Sequence, residues 1–243
     1  MFEALVALVS LVAGIVASVV GFGIGSLLTP FLATQMDMRI AVAAVSIPHF
    51  LATAYRLWLV RTSIDREVLK RFGVSSAFGA LAGALAGTVI QSDWLALLLA
   101  ALLLFVGIGG LVGFLDKMRF EGAARHGAGI ASGLFGGLVG NQGGVRSAAL
   151  LGFDLDKTAF IATATASGVI VDVFRMPVYV VAYQNELAEN TTTIAIMTIG
   201  CLVGTVVGKR VLNRVPEQAF KKVVCAVLIV VGVFVLVRFF LTR

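Results

Sequence analysis

Apolar runs long enough to cross a membrane follow one another along the whole chain, and they limit its fold more than any other feature. Each run has about 20 residues or more, the length that an α-helix needs to span a bilayer core of about 30 Å. Of the 243 residues, 59% are hydrophobic and 13% are charged, and the mean hydropathy is +1.02. A soluble core of this size leaves no room for so much apolar surface. The sequence therefore predicts an all-α integral membrane protein in the lipid bilayer.

The net charge of +6 comes from basic residues that lie mainly in short loops between the apolar runs. This distribution is typical of the orientation signal of membrane proteins, and it argues against nucleic-acid binding. Cys201 and Cys225 lie in apolar helical segments, where a buried thiol is usually inert. The sequence contains no metal-ligand cluster, nucleophile and base set or nucleotide loop, so we expect neither catalysis nor a cofactor.

A duplicated pattern divides the chain into two halves, 1–118 and 119–243, which we predict to be repeats within a single membrane domain. An offset of 119 residues brings the glycine-rich segment 14–25 over 133–144. The same offset carries Asp37 onto Asp156, Ser46 onto Thr165, Tyr55 onto Phe174 and Arg56 onto Arg175. Each half is predicted to form a glycine-broken segment followed by three apolar helices. The predicted segments are 2–35, 40–61, 67–90, 94–115, 127–151, 158–183, 190–208 and 217–240.

The positions of lysine and arginine indicate that the glycine-broken segments enter and leave the membrane on the same side. If all eight segments crossed, the two sides would hold 9 and 7 basic residues. With two re-entrant helical hairpins the count becomes 13 against 3, and the positive-inside rule favours this arrangement. Equivalent loops of the two halves carry opposite amounts of charge. We therefore predict inverted repeats in the cell (inner) membrane, with the N- and C-termini on the outer side.

Glycines at the tips of the two hairpins favour an anion site. They permit positive φ and close backbone approach, and the helix after each tip presents unpaired N–H groups with a partial positive charge. The tips are predicted at 21–26 and 140–145. The predicted substrate-binding residues there are Gly21, Gly23, Gly25, Ser26, Asn141, Gln142, Gly143, Gly144 and Arg146. Small residues also serve simple helix packing, so a packing role for the glycines stays open.

Polar side chains form matching stripes on the helices 40–61 and 158–183. Residues spaced i, i+3, i+7 and i+10 share one helix face. They are Ser46, His49, Thr53 and Arg56, and their repeat partners are Thr165, Gly168, Asp172 and Arg175. Such stripes face a cavity or the bundle interior, where charged residues mark functional sites. We add Arg56 and Arg175 to the predicted anion site and assign His49, Thr53 and Asp172 to coupling or gating.

Structural interpretations of the same polar residues stay open. Arg56 and Arg175 lie about six residues from their helix ends, within reach of the membrane interface. Asp172 and Arg175 have the i, i+3 spacing of a structural ion pair. His49 follows Pro48, a placement that is also typical of a hydrogen-bonding group at a helix bend.

The glycine motifs resemble those of the sulfite exporter TauE/SafE family, whose halves each open with G-x-G-G-G-x-L-x-x-P-x-L. Residues 21–32 (GFGIGSLLTPFL) match this pattern except at Ile24. Residues 140–151 (GNQGGVRSAALL) keep Gly143 and Gly144, as well as the first glycine, but have Gln142 for another glycine and Ala149 for the proline. The resemblance covers the whole chain. It implies export or uptake of sulfur-containing anions such as sulfite, sulfoacetate or other organosulfonates, driven by an ion gradient, with the two tips as substrate contacts.

These observations, with the resemblance, predict a secondary transporter, an exporter of small sulfur-containing anions, whose substrate binds near the membrane midplane between the two tips. We expect a small anion and a coupling ion, H+ or Na+, as partners, and the oligomeric state stays open. The alternative is a passive channel, because opposed hairpins in inverted halves are also the layout of aquaporin-like pores. The lack of an Asn-Pro-Ala tripeptide at either tip counts against water conduction. A membrane scaffold without transport would leave the matching polar stripes unexplained.

Overall fold

The chain folds into a bundle of helices in the part that the structure, a computed structural model, describes: residues 2–20, 22–117, 124–150, 153, 155–211 and 217–241. The helices before residue 118 are α1 (Phe2–Val20), α2 (Ile24–Leu32), α3 (Met38–Val60), α4 (Arg66–Val68), α5 (Val74–Val89), α6 (Ser92–Leu111) and α7 (Phe114–Lys117). A 3-10 turn, Arg61–Ser63, extends α3, and a π-helical turn, Leu69–Gly73, joins α4 to α5. The later helices are α8 (Ala124–Val139), α9 (Gly143–Leu150), α10 (Lys157–Ala182), α11 (Gln184–Glu189), α12 (Thr191–Val211) and α13 (Glu217–Leu241).

Among the described residues, five stretches of helix are long and apolar enough to cross a membrane. They are Met38–Ser63, Arg66–Val89, Ser92–Leu111, Thr158–Ala182 and Thr191–Arg210. Two shorter apolar stretches, Phe2–Ser18 and Cys225–Leu241, lie in α1 and α13. Large apolar side chains cover much of the outer surface of the bundle, as expected for a protein surrounded by lipid. The predicted all-α membrane protein is confirmed.

Both glycine-rich segments contain a break between two helices. The first break separates α1 from α2, where Gly23 has a φ of 141°. The second separates α8 from α9, where Gly140 has a φ of 72°. Only glycine adopts these values at little cost, so the glycines allow the chain to turn at these two points. Gly21, the first glycine of the motif, lies outside the described residues.

Close contacts at glycines hold α1 against α12. A Cβ atom built on Gly200 would lie 2.7 Å from Cβ of Ser10, and one built on Gly208 would lie 2.9 Å from Cβ of Ser18. Eight residues separate the contacts on each helix, so the two helices run parallel. The backbones can approach this closely because neither glycine has a side chain.

The contact between α5 and α8 has the same character. A Cβ atom on Gly79 would lie 2.2 Å from the carbonyl oxygen of Ile130, and one on Gly83 would lie 2.3 Å from that of Leu134. These helices also run parallel. The packing is therefore reciprocal: the first helix of each half packs on the third long helix of the other half.

Two helices that each begin with an aspartate cross at the centre of the bundle, α3 and α10. The carboxylate of Asp37 accepts a hydrogen bond from the backbone N–H of Arg39, and that of Asp156 accepts one from Thr158. Burial raises the pKa of Asp37, but hydrogen bonds from Ser92 and Arg39 outweigh burial and leave the pKa below its usual value. The cap on α3 is therefore present at neutral pH and is lost as the pH falls through this lowered pKa.

Adding one methyl group at a helix contact should destabilise the fold. A Cβ atom on Gly133 would lie 1.9 Å from the carbonyl oxygen of Ser76, and one on Gly14 would lie 2.4 Å from that of Cys201. We expect Gly133→Ala and Gly14→Ala each to cost about 1–3 kcal/mol, because backbone must move to admit the methyl group. Thermal unfolding of the purified protein in detergent measures the loss.

The matched control is Gly127→Ala, on the same helix as Gly133. A Cβ atom on Gly127 would meet nothing within 4 Å. This variant should unfold at or slightly above the wild-type temperature, since alanine favours helix over glycine. Equal melting temperatures for Gly133→Ala and Gly127→Ala would contradict the proposed close packing.

Candidate functional site

The two helix breaks contact each other inside the bundle. A Cβ atom on Gly25 would lie 2.1 Å from the carbonyl oxygen of Gly140. A Cβ atom on Gly143 would lie 2.1 Å from Cβ of Phe22, so the side chain of Phe22 packs directly against Gly143. The hydroxyl of Ser26 donates a hydrogen bond of 3.1 Å to Oδ1 of Asn141. Protein atoms therefore fill the space in front of Gly25 and Gly143, as the packing interpretation of these glycines requires.

One arginine binds the C-terminal end of the helix before each break. Nη1 of Arg56 donates a hydrogen bond to the carbonyl oxygen of Ala17, near the end of α1. Nη1 of Arg175 donates one of 2.6 Å to the carbonyl oxygen of Gly136, near the end of α8. The last four carbonyl groups of a helix have no partner within the helix, and positive charge is favourable there. Ala17 and Gly136 are 119 residues apart, like the two arginines that bind them.

The two arginines differ in how deeply they are buried. Arg175 is 1% exposed, so its guanidinium is enclosed by the bundle. Arg56 is half-buried, and its guanidinium turns towards the end of α1. Both groups therefore lie where the helix breaks leave carbonyl oxygens to be bound.

Asp172 joins α3 to α10 through a buried ion pair and a histidine. Its Oδ1 accepts a hydrogen bond of 2.9 Å from Nε of Arg175 and lies 2.8 Å from Nη2 in the same ion pair. Its Oδ2 lies 2.6 Å from Nδ1 of His49. Because the carboxylate has no proton to give, a neutral His49 ring carries its proton on Nδ1 and leaves Nε2 as the acceptor. Asp172 is fully buried, so these partners replace the water that a carboxylate needs.

Arg146 places a second buried guanidinium near His49, Asp172 and Arg175. We call these four residues the buried cationic cluster. Arg146 lies in the first turns of α9 and is 2% exposed. Its Nη1 would lie only 2.7 Å from a Cβ atom on Gly168 of α10, so the absence of a side chain there makes room for the arginine. Arg146 also lies within electrostatic range of Asp172, Arg175 and Arg56.

Gln142 provides polar atoms that have no partner. Gln142 directly precedes α9. Its side chain is 3% exposed and lies against Gly136. Neither Nε2 nor Oε1 has a hydrogen-bond partner among the described residues. A buried amide without partners costs free energy, so such a group normally indicates an unseen water or ligand.

The remaining predicted site residues occupy different positions around this cluster. Thr53 lies near Gly168, the glycine that also makes room for Arg146, since its Cγ2 would be 3.5 Å from a Cβ atom there. Gly23 faces Val16 of α1. Gly144 belongs to α9, and Gly21 lies outside the described residues.

Sequence reasoning missed the role of Tyr179. Its hydroxyl donates a hydrogen bond to the carbonyl oxygen of Gly137, next to the carbonyl that Arg175 binds. The available signal was its position one turn after Arg175 on the same helix face. The repeat did not help to predict this role, because the residue equivalent to Tyr179 in the first half is Val60, which has no hydroxyl group.

These features define a multi-pass helical membrane protein with a buried cationic cluster between two helix breaks. The chain belongs to the sulfite exporter TauE/SafE family: the family model matches residues 6–235 of 243. Members of this family are membrane transporters, not enzymes. The comparisons with curated proteins and with solved structures found no match.

Removing the carboxylate of Asp172 should strongly destabilise the protein. Asp172→Ala leaves the charge of Arg175 buried without its partner, which typically costs about 3–5 kcal/mol. In the double variant Asp172→Ala with Arg175→Met neither charge remains, so part of this loss should be recovered. Thermal unfolding in detergent compares the two variants, with the exposed Asp93→Ala as a control. A double variant that is no more stable than Asp172→Ala would contradict this account.

Proposed function

We propose that the protein is a secondary transporter of small sulfur-containing anions such as sulfite, sulfoacetate or other organosulfonates. The substrate binds near the membrane midplane between the two hairpin tips, and the two repeats rock around it. The observation that carries this proposal is the buried cationic cluster beside the partnerless amide of Gln142. The family, which consists of transporters of the sulfite exporter type, supports the same class of function.

The charge of the cluster favours an anion. Among the described residues that are fully buried, the charged side chains are Arg146, Arg175 and Asp172, besides His49. With His49 neutral their sum is positive, and the half-buried Arg56 adds to it. A net charge inside a membrane protein is costly, and a bound anion would offset that cost.

The donors of the second tip suit an oxyanion. A sulfonate or sulfite group presents several acceptor oxygens, and a guanidinium binds such groups through a planar fork of N–H donors. The Arg146 guanidinium, the Gln142 amide and the backbone N–H groups that open α9 supply donors on one side of the cluster. We therefore give direct substrate contacts to Arg146 and Gln142.

The other predicted residues support this site in the proposal. The tip residues that the structure describes let the two backbones approach or join them by a hydrogen bond, and the arginines supply positive charge at the helix ends. The tip residues are Gly21, Gly23, Gly25, Ser26, Asn141, Gly143 and Gly144. Arg56 and Arg175 bind the ends of α1 and α8 and add positive charge beside the anion. His49, Thr53 and Asp172 serve coupling, and the coupling ion is H+ or Na+.

The halves 1–118 and 119–243 are inverted repeats in this proposal. Three reciprocal features support it: α1 packs on α12 as α8 packs on α5, each pair runs parallel, and each helix break has its own arginine. Contacts in which each half uses the same surface on the other are the signature of a twofold axis. The opposite charge of equivalent loops favours an axis in the membrane plane.

The directions of the helices support re-entrant hairpins. His49 meets Asp172 while Thr53 lies near Gly168, so α3 and α10 run antiparallel. Helix α12 runs back in the opposite direction to α10, so it is parallel to α3. Helix α1 is parallel to α12 and therefore also to α3. The chain between α1 and α3 must then return to its starting side. We therefore propose that both hairpins re-enter and that both termini lie on the outer side of the inner membrane.

A thermal-shift screen tests the substrate class. The purified protein is heated with sulfite, thiosulfate, sulfoacetate, taurine, sulfate or small carboxylates. A ligand that binds only the folded state raises the melting temperature, by an amount that grows with its concentration. We expect the sulfur oxyanions to give the largest shifts. Larger shifts with the carboxylates, or none with any anion, would contradict the proposed substrate.

Transport by the Arg146→Gln variant tests the site. In proteoliposomes, we expect it to lower sulfoacetate uptake at least about tenfold, the effect of losing a charged hydrogen bond of about 1.5–3 kcal/mol. Arg71→Gln, which removes an exposed arginine paired with Glu67, is the matched control and should transport normally. Equal uptake by both variants would exclude the contact to Arg146. Uptake that does not saturate with concentration would instead favour the passive channel.

A further inference from the structure

The proton-accepting atom of His49 is left available by its surroundings. Asp172 holds Nδ1 of the ring at 2.6 Å, and Arg175 holds the carboxylate in turn. Nε2 makes no hydrogen bond to the described residues, and His49 as a whole is 8% exposed. A histidine that is oriented in this way gains a proton at Nε2 without losing its bond to the carboxylate.

The charges that face His49 link its proton to the proposed anion. Asp172 and Arg175 face it from α10, and Arg146 faces it from α9. Arg56 lies two turns further along α3 itself. No titratable side chain that the structure describes on α2, α6, α8, α11 or α12, which also pack against α3, acts on His49; those on α11 are Glu186 and Glu189.

The two arginines oppose a positive charge on the ring, and an anion bound beside them would cancel that opposition. Protonation of His49 would equally strengthen the attraction for the anion, because coupling between two bound ligands is reciprocal. Proton and anion would therefore bind together and leave together.

We infer that the coupling ion is a proton, which binds Nε2 of His49 when the anion binds, so that the protein is a proton and anion symporter. This inference rests on the proposed function, since without an anion substrate there is nothing to couple. The proton comes from water on one side of the membrane, converts the ring to imidazolium, and returns to water on the other side. The direction of net transport follows the combined gradients of the two ions.

Uptake of sulfoacetate into proteoliposomes tests the coupling. The membrane potential is clamped at zero and the outside is made more acidic by about one pH unit. If one proton accompanies each anion, the wild-type protein should accumulate sulfoacetate about tenfold. An inward sodium gradient at equal pH should give no accumulation. Accumulation with sodium but not with the pH difference would overturn the inference.

The variant His49→Asn separates the proton from the structural hydrogen bond. The asparagine amide N–H can still donate to Asp172, but it cannot take up a proton. We expect the variant to exchange internal for external sulfoacetate and to lose the tenfold accumulation. The control is His126→Asn, which changes the second of the two histidines in the chain, an exposed one. Accumulation by His49→Asn equal to that of His126→Asn would overturn the inference.

Proton uptake on binding gives a second test that needs no variant. Calorimetric titration of the wild-type protein with sulfoacetate, in buffers of different ionisation enthalpy, counts the protons bound with each anion. We expect uptake of up to one proton between about pH 5 and about pH 8. Binding without proton uptake across this range would overturn the inference. If none of the sulfur anions of the thermal-shift screen is bound or transported, the proposed function is overturned, and the symport with it.

Discussion

Two helices of this protein end inside the bundle, and the rest of the structure depends on how their free carbonyl groups are bound. In water such groups are hydrated, but at membrane depth protein must bind them. Arg56 binds Ala17 of α1, and Arg175 binds Gly136 of α8. Each arginine comes from the long helix that follows its own break. The breaks therefore bring positive charge into the bundle, and Asp172 is the described acid that is buried beside it.

This constraint explains why stability and function share residues here. The arginines that hold the helix ends also make the centre of the bundle positive, so the fold itself prepares an environment for an anion. The second break adds Gln142 and Arg146 where the first has Gly23 and Leu27, so two structurally similar tips differ in chemistry. In our proposal the first tip mainly supports the second. In the same proposal, this asymmetry gives the substrate a preferred orientation between the two repeats.

The sequence predicted the helices better than the site. Apolar runs and glycine breaks are local signals, because helix length and the freedom of Gly23 and Gly140 do not depend on distant residues. The polar stripes predicted that His49 and Asp172 face the interior. Their bond depends on the offset between two crossing helices, which no spacing within one helix contains. The bond from Arg175 to the carbonyl oxygen of Gly136 could not be predicted either. Every residue has a carbonyl group, so the sequence does not indicate which one the arginine binds.

The central claim is that the anion binds between the two tips, and locating a heavy anion tests it most directly. Crystals grown with selenite, the selenium analogue of sulfite, allow the anion to be found by anomalous diffraction at the selenium edge. Our account predicts a selenium peak beside the Arg146 guanidinium, with an oxygen within hydrogen-bond distance of the Gln142 amide. Selenium bound only at the aqueous loops or on the lipid-facing surface would contradict it.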